Sequence, residues 1–185
     1  MNAPVLAIAA AATAEPIGEL IKSGRHRDAL GACARTHGAI LGRLAMALLG
    51  SQADADEAVQ ETLLRAHKAM PGYRAEGSVK AWLCGIARHV CAHTLETRRR
   101  SRELLELVPT EERASERGLA SARTLRIALG KLKPSERECL VLRFVADLDH
   151  REIATALGLD EPAARKRISR ALAHLRTVIP AEEIV

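Results

Sequence analysis

Apolar residues recur at three- and four-residue spacing along almost the whole chain, which is the period of one face of an α-helix. The stretch "PIGELIKSGRHRDALGACARTHGAILGRLAMALLG" carries that period and ends at Gly50, a helix stop. "SQADADEAVQETLLRAHKAM" opens on a Ser/Asp cap zone, sets Val59, Leu63 and Ala66 on one stripe, and breaks at Pro71-Gly72. "GSVKAWLCGIARHVCAHTLETRRR" follows, with Ser78 at the N-cap and Val79, Leu83, Ile86 and Val90 on one face. Further helices are read in "LRIALGKL", "SERECLVLRFVADL", "HREIATAL" and the stretch after Gly158. Trp82, Tyr73 and Phe144 are the only aromatic residues. The core must therefore be built from Leu, Ile, Val and Ala, which suits packed helices better than sheets. The expected fold is all-α.

A segment of different character divides the helices. Residues 101–120, "SRELLELVPTEERASERGLA", are charged, contain Pro109 and lack a sustained apolar stripe. They read as a flexible linker between two small helical domains, 16–100 and 121–180, the second built of four helices. A linker with so little apolar content leaves the relative orientation of the two domains free to vary. Residues 1–15 read as a flexible tail. Their apolar run has signal-peptide length, but no Lys or Arg precedes Lys22, so the positive leader is missing. No later segment approaches the apolar length of a membrane span.

"HREIATALGLDEPAARKRISRALAHL" has the spacing of a helix-turn-helix. Ile153 and Leu157 lie on the inner face of its first helix, and Ala154 is small where two helices must cross closely. Gly158 supplies a left-handed turn residue, and Leu159 plugs the core. Ala164, Ile168, Leu172 and Leu175 form the inner stripe of the second helix. Ala163, Lys166, Arg167 and Arg170 are read as pointing away from that stripe, towards a major groove. The acid that opens this helix has a local reason. Asp160 is a good N-cap, Pro162 suits the first turn, and Glu161 favours the positive end of the helix dipole. A basic helix of this kind is often merely solvated. The small residue, the glycine and the plug at matching offsets favour DNA binding instead, as does a formal net charge of +5.

Other chemistries find little support. No glycine-rich phosphate loop, catalytic carboxylate pair or Ser/His/Asp motif stands out. The four cysteines, Cys33, Cys84, Cys91 and Cys139, form no CxxC pair and read as reduced thiols packed as small hydrophobes. Cys33 with His37, and His89 with His93, could each share a helix face, but neither matches a zinc spacing. No metal site and no cofactor is expected.

Taken in order, these motifs resemble the extracytoplasmic-function (ECF) sigma factors of the sigma-70 family, small bacterial RNA polymerase subunits. The resemblance covers residues 20 to 178. "DADEAVQETLLRAHKAM" is similar to the family's polymerase-binding helix, and "GSVKAWLCGIARHVCAHTLETRRR" to its helix for the -10 promoter element. "LGKLKPSERECLVLRFVADLDHREIATALGLDEPAARKRISRALAHLR" is similar to its -35 domain. The resemblance implies a non-enzymatic cytoplasmic factor whose partners are core RNA polymerase, promoter DNA and an anti-sigma factor, with no stable membrane insertion. It implies that Asp56, Glu57, Gln60, Glu61, Leu64 and Arg65 dock on the clamp of the largest polymerase subunit, and that the chain also meets the polymerase flap. For the -10 element it implies Tyr73, Arg74, Lys80, Arg88, His89, Arg98, Arg99 and Arg100. There the basic residues meet phosphates and Tyr73, in the loop "PGYRAEG", stacks on a flipped base. For the -35 element it implies Glu161, Ala163, Arg165, Lys166, Arg167 and Arg170, with Arg167 as the base reader.

Some positions depart from the family pattern. His89 stands where the family has Asn, Cys84 replaces a larger residue, Ala163 replaces a Thr or Ser, and Asp160-Glu161-Pro162 replaces a neutral helix start. Two other readings stay open on the sequence. One is a sigma mimic that sequesters an anti-sigma factor without binding DNA. The run from Arg98 to Arg102 counts against it. The other is an ordinary helix-turn-helix regulator, against which the "VQETLL" helix argues.

Overall fold

A computed structural model describes residues 17–105 and 127–179, and among these there are helices and no strand. The segment 106–126, most of the expected linker, and the expected tail over 1–15 lie outside the described residues. Four helices build the first half: α1 Ile17–Lys22, α2 His26–Leu49, α3 Gln52–Ala69 and α4 Val79–Leu105. A single 3-10 turn, Met70–Gly72, follows α3 at the expected Pro-Gly break. Helical residues 127–131 begin the second half, followed by α5 Pro134–Phe144, α6 His150–Leu157 and α7 Glu161–Val178.

Several boundaries fall where local chemistry puts them. Gly50 ends α2 in the left-handed region at φ 72°, and Ser51 caps α3 by accepting from the Asp54 amide. Ser78 caps α4 through the Ala81 amide at 3.0 Å. Two boundaries differ from the expectation. The long apolar stretch before Gly50 is two helices, because Gly24 takes φ 76° and turns the chain between α1 and α2. At the other end, α4 continues through Leu105 into the segment read as linker.

The first half packs α2, α3 and α4 around Leu41, Leu44, Leu83 and Met70. Where helices approach closely the chain uses small residues, such as Ala55, Ala58 and Ala66 on α3. Among the described residues of this core, Thr62 is the buried polar side chain. Its hydroxyl donates to the Ala58 carbonyl at 2.6 Å, so it leaves no unpaired donor.

The halves do not sit apart. One continuous apolar cluster runs from Leu41, Leu44 and Leu83 into Val141, Leu142, Leu148 and Ile153. The expectation of freely varying domains considered only the linker. The structure supplies a contact that the linker composition could not reveal. α4 is buried on a second side, at Ala81, Cys84 and Cys91, as well as on its Leu83 and Val90 side. Small residues there admit α6 to backbone contact: a Cβ placed at Gly85 would lie 3.3 Å from the Ala156 carbonyl oxygen and 3.5 Å from its Cα.

Candidate nucleic-acid and protein interfaces

The helix-turn-helix forms as its spacing predicts. Asp149 caps α6 in a reciprocal capping box with Glu152, at 2.8 and 3.0 Å. Gly158 ends that helix at φ 63°, a conformation that costs a residue with a Cβ. Ile153, Ala154, Ala164 and Ile168 are buried between the two helices. Asp160 starts α7 by accepting from the Ala163 amide at 2.6 Å. Glu161 accepts from Arg165 at 2.7 Å one turn on. The acid that opens the helix is thus spent on its own first turn.

The outward face of α7 differs from the expected one at a single cation. Arg165, Lys166 and Arg170 are exposed, while Glu161 and Ala163 are half-buried. Arg167 is half-buried too, and its charge acts on the buried Cys139 thiol of α5 against the upward push of burial. It lies three residues from Ala164 and four from Ala171, both on the inner stripe, so it flanks the core rather than opposing it. The wheel reading that turned Arg167 outward is corrected on this point. Ser169, which was overlooked, is exposed and lines a shallow groove with Glu161, Pro162, Arg165 and Lys166. Its spacing of four from Arg165 could have marked it.

The expected -10 residues lie along α4 and the loop before it, and several already have partners. Tyr73 is half-buried: its ring sits 4.9 Å from that of Trp82, and its hydroxyl donates to the Gly77 carbonyl at 3.1 Å. Arg74 is exposed beside Glu76. Lys80 donates to the Asp147 carbonyl at 2.8 Å, and Arg88 pairs with Glu138 at 3.2 Å and touches the His89 ring at 2.8 Å. Burial first, then the Arg88 charge, holds His89 below the ordinary histidine value. Arg98 pairs with Asp54 of α3, which ties the basic end of α4 to the acidic start of its neighbour. Arg100 bonds Glu96 at 2.6 Å, and Arg99 is exposed.

On α3, Asp56, Glu57, Gln60 and Leu64 are exposed. Leu64 keeps 55% of its surface accessible. Glu61 and Arg65 are half-buried and bonded to each other at 2.6 Å. An acidic helix start followed by one exposed leucine offers a partner both charge and an apolar anchor.

The cysteines sit in the core, all four free and buried. Burial pushes the Cys84 and Cys91 thiols up to about 12 and Cys139 up to about 11, and it raises Cys33. Such thiols are poor nucleophiles and poor ligands. Among the described residues no three His, Cys, Asp or Glu side chains converge as a metal site would need. None of the described helices is long and apolar enough to cross a membrane.

Comparison with known proteins agrees with this arrangement. The Sigma-70 region 2 family matches residues 33–101, and the Sigma-70, region 4 family matches residues 123–175. The chain is 35% identical over 162 residues to the ECF RNA polymerase sigma factor SigG of Mycobacterium tuberculosis, covering 72% of this chain but only 44% of SigG. It is 31% identical over 174 residues to the RNA polymerase sigma factor CnrH of Cupriavidus metallidurans, covering 86% of this chain and 91% of CnrH. The solved structure of CnrH with the cytosolic domain of CnrY superposes with a TM-score of 0.66 at 28% identity, over 88% of this chain and 94% of that one. The sigma factor RpoE of Bartonella quintana, solved with the anti-sigma factor NepR, gives a TM-score of 0.58 at 25% identity, over 75% and 88%. The chain therefore spans less than half of SigG and nearly all of CnrH. With both sigma-70 regions matched in order and a relative of this closeness covered almost end to end, the chain belongs to the ECF sigma factors of the sigma-70 family.

Proposed function

We propose that this chain is an alternative sigma factor, which binds core RNA polymerase and directs it to promoters with no catalytic step of its own. The observation that carries the proposal is the pairing of two different surfaces on one chain. The exposed acidic and apolar face of α3, with Asp56, Glu57, Gln60 and Leu64, suits a protein partner. The capped helix-turn-helix with Arg165, Lys166 and Arg170 exposed suits a polyanion in a groove.

In this reading Glu61 and Arg65 hold the edge of the polymerase face. Lys80, Arg88, Arg98, Arg99, Arg100 and Arg74 supply phosphate contacts to the -10 strand, with His89 beside them. Tyr73 and Trp82 form an aromatic pair beside the loop that would receive an unstacked base. On α7, base reading passes from Arg167 to Arg165, Lys166 and Ser169, while Arg170 contacts phosphate. Arg167, half-buried on the flank of the core, takes no part in base reading. The domains are assigned as residues 16–100 and 121–180, joined by the intervening segment. A cytoplasmic location and an anti-sigma partner follow from this reading. The RpoE relative, solved with an anti-sigma factor, supports the latter.

The test is co-elution with core polymerase. The wild type should co-elute, and the double reversal Asp56→Lys/Glu57→Lys should not, while its helix content stays unchanged. Equal retention of both proteins would remove α3 as the docking face.

A further inference from the structure

Two histidines that neither the polymerase face nor the DNA face uses meet at the end of the α2–α3 hairpin. α2 and α3 are joined at Gly50-Ser51 and pack side by side, so the start of α2 lies beside the end of α3. His26 is the first residue of α2, and His67 stands in the last turn of α3. Their ring centroids are 6.5 Å apart, with the ring planes at 81°. His67 is exposed and His26 half-buried. Among the described residues neither ring has a hydrogen bond or an ion pair. Spacing along the sequence could not show this pair, because the two residues come from different helices.

An imidazole without a partner keeps the nitrogen lone pair that a metal takes. Imidazole is also the ligand that zinc, nickel and copper ions share. An ion ~2.0–2.1 Å from one nitrogen of each ring sets the two centroids about 5 Å apart at a tetrahedral angle. The observed 6.5 Å is wider by about 1 to 1.5 Å, which rotation of the two side chains closes without moving either helix.

We infer that His26 and His67 form a metal site, a two-imidazole clamp for a borderline divalent transition ion that ties the start of α2 to the end of α3. No third His, Cys, Asp or Glu side chain converges there among the described residues, so water fills the remaining positions. Two protein ligands hold an ion less tightly than the three or four of catalytic and structural zinc. Arg27 and Lys68, next to the two histidines in sequence and both exposed, weaken the site further by repulsion. The expected Kd is therefore on the order of 10 μM rather than nanomolar. The clamp lies where the 3-10 turn Met70–Gly72 leaves α3 for the loop that carries Tyr73, and α1 packs against the same turn. An ion there fixes the base of that loop.

The test is isothermal titration calorimetry on the tag-free full chain, with zinc chloride and, separately, nickel chloride. The wild type should bind one ion, and His26→Gln and His67→Gln should each weaken binding at least ~10-fold. With the ion at about ten times its Kd, the wild-type Tm should rise by about 3–6 °C and that of either variant by much less. Circular dichroism checks that the variants are folded. His89 and His93, four apart on α4, serve as the control pair, and Arg88 already donates to the His89 Nε2. Binding that survives both single variants and disappears in His89→Gln/His93→Gln would place the ion on α4 and overturn the clamp. Loss in only one of the two single variants would reduce the site to a lone surface histidine and overturn it too. So would the absence of both heat and a Tm shift in the wild type, which would leave the pair as an aromatic contact only.

Discussion

Asp160 separates a folding role from an electrostatic one at the start of α7. Its Oδ1 accepts from the Ala163 amide at 2.6 Å, which satisfies one of the first-turn donors of α7. Asp160→Ala removes that acceptor and should cost about 1 kcal/mol, within the ~0.5–2 range for lost N-caps. For a chain of this length that is a fall in Tm of about 2–4 °C. Asp160→Asn keeps the carbonyl acceptor and should retain most of the stability. Both substitutions remove a negative charge from the end of a helix that the proposed function brings to DNA. A carboxylate about 8 Å from a phosphate, in water, repels it by roughly 0.5 kcal/mol, so both variants should bind duplex DNA about twofold more tightly at low salt. Urea denaturation followed by circular dichroism reads the first effect, and anisotropy on a duplex reads the second. If Asp160→Ala is as stable as the wild type, the cap does not hold this helix. If Asp160→Asn is as unstable as Asp160→Ala, charge rather than capping carried the effect.

Ala75 is exposed and takes φ 55°, a left-handed strain of ~1–2 kcal/mol for a residue with a Cβ. Ala75→Gly relieves it against ~0.5–1 kcal/mol of added chain entropy, so a net gain of about 0.5 kcal/mol should appear in denaturant titration. His37 and His89 are both held below the ordinary histidine value, in each case by burial first and by a neighbouring cation second. The unfolded chain therefore binds more protons than the folded one once pH falls towards the ordinary value of about 6.5. Stability should fall from pH 7.5 to 5.5, and His37→Gln should flatten part of that slope; a midpoint independent of pH would contradict the shifts. The Glu136 carboxyl, lowered mainly by its hydrogen bond with His174, keeps its contribution across this window and loses it only below the ordinary carboxylate range.

Local signals were legible in the sequence. Gly50, Ser51, Ser78, Gly158 and Asp160 each mark a helix end through a backbone angle or one hydrogen bond, and each performs that role. The Ser23-Gly24 turn carried the same kind of signal but was submerged in a long apolar period. Tertiary placement was less legible. The wheel position of Arg167 depends on where the core stripe is centred. The burial of Ala164 and Ala171 together moves that centre towards it. The second buried side of α4 was hidden for a related reason. Ala81, Cys84 and Gly85 are too small to register as an apolar stripe, yet smallness is what lets α6 approach. Nor does a sequence period show that Lys80 and Arg88, plausible phosphate ligands on a helix, reach across to another helix pair.

Run-off transcription tests the central claim most directly: purified chain and core polymerase are incubated with genomic fragments and the transcript starts are sequenced. The account predicts discrete starts that depend on the added chain and share an upstream -35 sequence. That sequence should shift in Arg165→Ala and Lys166→Ala, and all starts should vanish in Asp56→Lys/Glu57→Lys. Transcription no different from core enzyme alone, with a properly folded chain present, would contradict it.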